Sequence, residues 1–338
     1  MNVNRKTILF LTLIVLLTGT IHAGKPDIFS ACFREYTFVD KIPAQAEKNI
    51  LIISNRHFEP EDDYLYLRQV HITRKMFYFI ASRIGDSAYI TPYSSMESAL
   101  EKLSPNKNFL VFVNGHGKSF RQIIDRGFQI GDRYNVNMVM FDWPTDYFAL
   151  RKTARNARKV TKNFVQSMSD FHILQQTHFP DASVSLMFHS MGNHIARNMV
   201  KNDLEDIIPE QYFDNLILNA AAVPQRNHAE WVEQLNIQKR IYIVSNKGDR
   251  PLRGVKILRL TKPLGSEYDA HLAKNAEYIS FNDIATIEHN IFLGRTEVEK
   301  NHPNVYNFYL TLFQGKELFT SDNEMFDKKE GELVYLIR

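Results

Sequence analysis

"VSLMFHSMGNHIARNMV", Val184 to Val200, decides how the rest of this chain is read. An apolar run leads into His189-Ser190-Met191-Gly192-Asn193, and apolar residues then recur at helical spacing. Where a strand bends sharply into a helix, a serine at the bend is pushed out above the sheet edge. The helix N-terminus and nearby backbone N–H groups favour negative charge beside it. The usual pattern is G-x-S-x-G, whose small residues let the bend close against neighbouring backbone. Gly192 fits that pattern; Phe188 stands where the first glycine is usual. Ser190 is therefore the candidate nucleophile. Phe188 would either crowd the turn or point into a locally enlarged pocket at the sheet's end.

Outward from this stretch, short apolar runs alternate with longer helical patterns. Strands are expected at Asn49–Ser54, Ser87–Thr91, Phe109–Gly115, Val136–Asp142 and Ser183–His189. Further ones are expected around Leu216, at Arg240–Asn246 and at Ala276–Phe281. "FLVFVNG" and "VNMVMFD" are unbroken apolar runs of the kind buried on both faces. Helices are expected near Met96–Leu103, along Phe148–Phe171 and at Asn304–Phe313. The fold class that follows is α/β: a mostly parallel central sheet with helices on both faces. Arg151, Arg155, Arg158 and Lys162 form a basic stripe on the long helix, read as its solvated side.

The N-terminus reads as an address rather than as part of the fold. Asn4-Arg5-Lys6 precede the apolar run Thr7–Leu17, and "TGTIHA" ends at Ala23. That run is too short for a comfortable membrane span. A secretory signal over residues 1–23 is expected, with an uncleaved anchor as the alternative. Export to the periplasm or the medium follows, with no stable membrane span after cleavage. Residues 24–48 then form an extension, 49–315 the catalytic domain and 316–338 a tail. Cleavage removes Arg5 and Lys6, so the formal charge falls from +3 to +1, which argues against a nucleic-acid or other polyanion binder. Cys32 is the only cysteine, so packing rather than an internal disulfide must hold the fold.

A nucleophilic serine needs partners, and at strand-turn-helix sites of this kind they follow in the order acid, then histidine. "RIYIVSN" runs into "KGDRPL", which puts Asp249 just past a strand's C-terminal end, where catalytic groups of open α/β sheets gather. Its ordinary alternative is a turn residue. Asp269 and Asp283 are weaker substitutes. Two histidines follow the "AEYISF" strand: His289, favoured, and His302, which can equally be a helix-entry residue before Pro303. His271 precedes that strand and fits poorly. In "NGHGKSF" two glycines flank His116, whose backbone N–H is a candidate oxyanion donor together with that of Met191. His189 and His194 lack the spacing for a shared metal site.

Together "FLVFVNGHGKSF", "VMFDWP", "FHSMGNHIARN", "SNKGD" and "EHNIF" resemble the α/β-hydrolase superfamily, in particular a bacterial branch with an HSMGN elbow. The resemblance spans roughly residues 49–315. It implies Ser190 as nucleophile, Asp249 as acid, His289 as base, and the backbone of His116 and Met191 as oxyanion hole. Two departures stand out. Asn114 sits where the family commonly has His, and Phe188 where it has a small residue. The expected activity is that of a serine esterase on a small acyl substrate, with no metal and no organic cofactor. A catalytically inactive binder of the same fold and an acyltransferase using the same triad are the alternatives. Arg253–Asn275 is either a pocket wall or cap, or a plain surface excursion.

Overall fold

The unbroken apolar runs become strands with neither face in water, which requires helices on both sides of the sheet. The structure, a computed structural model, describes residues 35–57, 68–146, 149–268, 271–282, 284–285, 287–294, 297–318, 325–327 and 334–337. The expected signal segment, Cys32, Asp269 and Asp283 lie outside the described residues.

The chain opens with β1 (Glu35–Phe38), β2 (Lys48–His57), β3 (Arg68–Ile84) and β4 (Ser87–Tyr93). Then come α1 (Met96–Leu100), β5 (Phe109–Val113), α2 (Phe120–Tyr134), β6 (Asn137–Asp142) and the long α3 (Leu150–His178). After β7 (Val184–His189), a single tight turn at Ser190–Gly192 leads into α4 (Asn193–Lys201). β8 (Phe213–Asn219), α5 (His228–Val232), β9 (Gln238–Ser245), α6 (Arg250–Arg259) and β10 (Ala276–Ser280) follow. The last elements are α7 (Glu297–Asn301), α8 (Asn304–Phe313), β11 (Phe326–Asp327) and β12 (Val334–Ile337).

Among the described residues these strands form one sheet, in the order β1-β4-β3-β2-β6-β5-β7-β8-β9-β10-β12-β11. From β2 across to β12 every neighbouring pair is parallel. β3 runs antiparallel to both β2 and β4. The chain leaves β5 through α2 to reach β6 on one side, then returns through α3 to β7 on the other. That reversal opens a crevice beyond the C-terminal ends of β5 and β7, the usual place for a site in an open α/β sheet.

Every strand expected from an apolar run is present, and three findings go beyond expectation. β3, a long strand, was not anticipated. The segment read as an extension supplies β1 and the first residue of β2, and the segment read as a tail supplies β11 and β12. Both segments therefore belong to the sheet. On α3, Arg151, Arg155, Arg158 and Lys162 are exposed, while Ala157, Phe164, Met168 and Phe171 are buried against the sheet.

Alternation along β7 sets what faces the site. Val184, Leu186 and Phe188 enter the core shared with Phe164 and Met168 of α3 and Ile195 of α4. Ser185, on the other parity, donates to the Leu312 carbonyl of α8 at 2.7 Å.

Candidate active site

The bend after β7 puts Ser190 at φ +54, a backbone region that non-glycine residues rarely occupy. Such strain persists only where the surroundings over-determine it. Here Asn193 supplies the brace: its Nδ2 donates to the carbonyls of Phe188 and Ser190, each at 3.0 Å. The Ala222 N–H donates to the Ser190 carbonyl as well, at 3.1 Å. Gly192 must lack a side chain, because a Cβ there would lie 2.7 Å from the Val113 carbonyl oxygen and 2.8 Å from that of Asn114. Phe188 does not crowd the bend. Its ring is buried in the core on the far side, edge-on to Phe164 with centroids 5.3 Å apart.

The turn after β5 is the second wall. Gly115 lies directly against Ser190: a Cβ on it would meet Ser190 Cβ at 2.7 Å and Oγ at 3.3 Å. Gly117 takes φ +65, which turns the chain toward α2. Trp143, wholly buried, donates its indole N–H to the Asn114 carbonyl at 3.0 Å. Asn114 accepts from Arg126 Nη1 at 2.6 Å through Oδ1. Arg56, also buried, pairs with Asp142 and donates through Nη2 to the Lys118 carbonyl at 3.0 Å. The His116 ring meets Thr153 Oγ1 through Nδ1 at 2.8 Å. The Met191 N–H opens a helical turn, where the first donors have no intrahelical partner.

Asp249 and His289 meet across the end of the sheet. His289 Nδ1 lies 2.5 Å from Asp249 Oδ2. The other carboxylate oxygen, Oδ1, accepts from the Leu252 N–H at 2.9 Å, so Asp249 also caps α6. Burial at 1% exposure leaves this carboxylate little water, and both oxygens have protein partners. Two further bonds fix the histidine's loop to the end of β9: Asn246 Nδ2 donates to the Glu288 carbonyl at 2.8 Å, and the Arg250 N–H to that of Ile287 at 3.3 Å. Arg126 reaches the same loop through Nη2, which donates to Asn290 Oδ1 at 3.1 Å. One guanidinium thus ties the turn after β5 to the loop that carries His289. His302 sits between α7 and α8, its N–H on the Val298 carbonyl at 2.9 Å, and is not the partner of Asp249. Ser190 Oγ makes no hydrogen bond to His289 among the described residues; in unliganded enzymes that contact often tightens only with substrate.

His189 lies behind His289, with ring centroids 4.6 Å apart, and the rings of Phe292 and Phe112 lie 5.2 and 6.1 Å from it. The Tyr309 hydroxyl donates to Asn219 Oδ1 at 2.8 Å, which orients that amide so that Nδ2 donates to His189 Nδ1 at 3.1 Å. The neutral ring therefore carries its proton on Nε2. Burial holds the His189 pKa well below 6.5, and the neighbouring His289, Arg126 and Lys118 push it the same way. Burial, with the Arg126 charge adding to it, also pushes the Lys118 amine down to about 7.

A lowered histidine pKa means that the folded chain binds fewer protons than the unfolded chain below about pH 6.5. The stability that depends on a neutral His189 is complete above that pH and is lost as the pH falls below it. Unfolding of the wild type and of His189→Gln, followed from pH 7.5 to 5, should show the wild type losing more stability on acidification. Parallel curves for the two proteins would show that the ring carries no such penalty.

Sequence reasoning brought together Ser190, Asp249, His289 and the His116 and Met191 backbone at one end of the sheet. It missed Arg126, Asn246 and the supporting role of His189. The one signal for a supporting residue was the HSMGN elbow, whose first and last residues are His189 and Asn193. A search of curated proteins finds none that matches the chain. Residues 93–311, from the end of β4 to within α8, match the family described as alpha/beta hydrolase of unknown function (DUF900). The matched region holds the bend at Ser190, the turn at Gly115 and the Asp249–His289 pair, and on that match the chain belongs to this α/β-hydrolase family.

Proposed function

We propose that this protein is an exported serine hydrolase that cleaves a carboxylic ester or related acyl bond. The observation that carries the reading is the Asp249–His289 pair, at the same end of the sheet where Ser190 is held at positive φ against Gly115. In the reaction Ser190 Oγ attacks the acyl carbonyl while His289 takes its proton. Asp249 keeps the proton of the resting imidazole on Nδ1 and stabilises the imidazolium that forms. The N–H groups of His116 and Met191 receive the oxyanion. His289 then gives its proton to the departing alcohol, leaving an acyl-enzyme. Water, activated by the same imidazole, releases the acid. An acceptor other than water would make the same residues an acyltransferase, which product analysis distinguishes. Export is supported by the sequence of residues 1–23 alone.

The test is a fluorophosphonate probe, which labels only an activated serine. Wild type should label, Ser190→Ala should not, and His289→Ala should label far more slowly while His302→Ala keeps the wild-type rate. Failure of the folded wild type to label would leave the reading of an inactive fold that binds a ligand. The absence of a Ser190–His289 hydrogen bond is the observation that favours that second reading.

A further inference from the structure

Immediately after the acid Asp249, α6 lies across the bend. Its inner face, Leu252 and Val255, forms a small core with Met191, Ala220 and Ala222, against which Leu150 and Ala154 pack. The chain then returns to the sheet's end at once, with the Leu264 N–H on the Val223 carbonyl and the Gly265 N–H on that of Ala221. α6 is thus a cap over the nucleophile's turn.

Among the described residues its outer face has no packing partner. Ile257 is 67% exposed and Leu258 62%, and Leu260, which ends the helix, is 91% exposed. Leu260 also takes φ +53, a helix-ending conformation that glycine fills at no steric cost. Nothing inside the fold explains a leucine there. Arg250, Arg253 and Lys256, which precede these apolar residues on the same helix, are exposed too. Among the described residues none of the three pairs with a carboxylate, and residues 250–259 contain no Asp or Glu. Ile287, 46% exposed, adjoins the helix start through the bond from Arg250 to its carbonyl.

Apolar tips beside unpaired cations on a surface helix suit the boundary between phospholipid headgroups and acyl chains. We infer that the outer face of α6 is a docking surface for an anionic phospholipid bilayer, which brings the Ser190 bend to the lipid surface. The charges select this occupant. A second copy of the chain would set the same cations against each other, whereas anionic headgroups neutralise them. Docking stands independently of catalysis; only its use, presenting acyl lipids to Ser190, rests on the hydrolase reading.

The test uses the chain from Gly24 onward, the form export would leave, which retains every described element. Ser190→Ala is included so that lipid is not consumed. The protein should sediment with vesicles of phosphatidylcholine mixed with phosphatidylglycerol, and not with phosphatidylcholine alone. Added salt should weaken the binding. Arg253→Gln/Lys256→Gln should reduce affinity roughly 30-fold, about fivefold for each cation removed. Ile257→Ser/Leu258→Ser/Leu260→Ser should reduce it by about 100-fold or more. An unchanged unfolding midpoint in each variant shows that the fold is kept. Binding to neither vesicle, equal binding to both, or full binding by either variant would overturn the inference. So would a dimer in solution that the triple serine variant converts to monomer. Vesicle binding that persists while Ser190 fails to label removes the hydrolase reading alone. Labelling that persists without vesicle binding removes the docking surface alone.

Discussion

Asp249→Asn should lower the rate of the serine chemistry by about 10,000-fold while leaving the fold intact. The size follows from the two bonds that the carboxylate makes. Oδ1 accepts from the Leu252 N–H, and Oδ2 faces His289 Nδ1. An asparagine must keep an acceptor toward Leu252, because turning the amide would set two donors against each other. Its NH₂ group therefore faces His289 Nδ1 and donates to it. The imidazole then carries its proton on Nε2, the nitrogen that must accept the proton of Ser190. Stability changes little, since asparagine caps a helix about as well as aspartate. Fluorophosphonate labelling rates and unfolding midpoints of the two proteins check both halves. A loss of less than tenfold would mean that another carboxylate orients the base.

The parts of this site that were legible in the sequence share one property: each is fixed by its place along the chain. Ser190, Asp249 and the turn at Gly115 all lie within a few residues of the end of an apolar run, so their position at the sheet's end comes from the order of elements. β3 gave no such signal. Its apolar residues fall on both parities, Val70 and Ile72 on one and Phe77 and Phe79 on the other, with Arg74 and Lys75 between them. β1, β11 and β12 are too short for a pattern of their own, and their partners at the sheet's edges define them.

Arg126 was illegible for a different reason. In sequence it is an ordinary polar residue in the middle of α2. Its function comes from what the fold sets around it, namely Asn114 on one side, Asn290 on the other, and the rings of Phe112 and Phe292, 5.9 and 5.8 Å from the guanidinium carbon. Phe188 shows the same limit from the opposite direction. Its misfit to the G-x-S-x-G pattern was plain, but the pattern could not say which face of β7 the ring would take. The structure gives the ring to the core beside Phe164, and leaves the close approaches at the site to Gly192 and Gly115.

Gly115→Ala should accordingly be the most damaging small change near the nucleophile, lowering kcat about 100- to 1,000-fold. Gly115 is not among the residues at positive φ, so the effect arises from contact rather than from torsion. The added Cβ would sit 2.7 Å from Ser190 Cβ and 3.1 Å from the His189 carbonyl oxygen. Neither atom is the loose end of a flexible side chain. The Ser190 backbone is held by Asn193 and Ala222, so the turn at Gly115 must move instead. That displaces the adjoining His116 N–H from the oxyanion by several tenths of an ångström, enough to misalign one of two donors. Gly254→Ala on α6 is the control, because nothing lies within 4 Å of its Cβ. It should leave the rate unchanged and stabilise the protein by about 0.5–1 kcal/mol. Hydrolysis of a p-nitrophenyl ester separates the two: a Gly115→Ala enzyme with wild-type kcat would place the oxyanion donor elsewhere than His116.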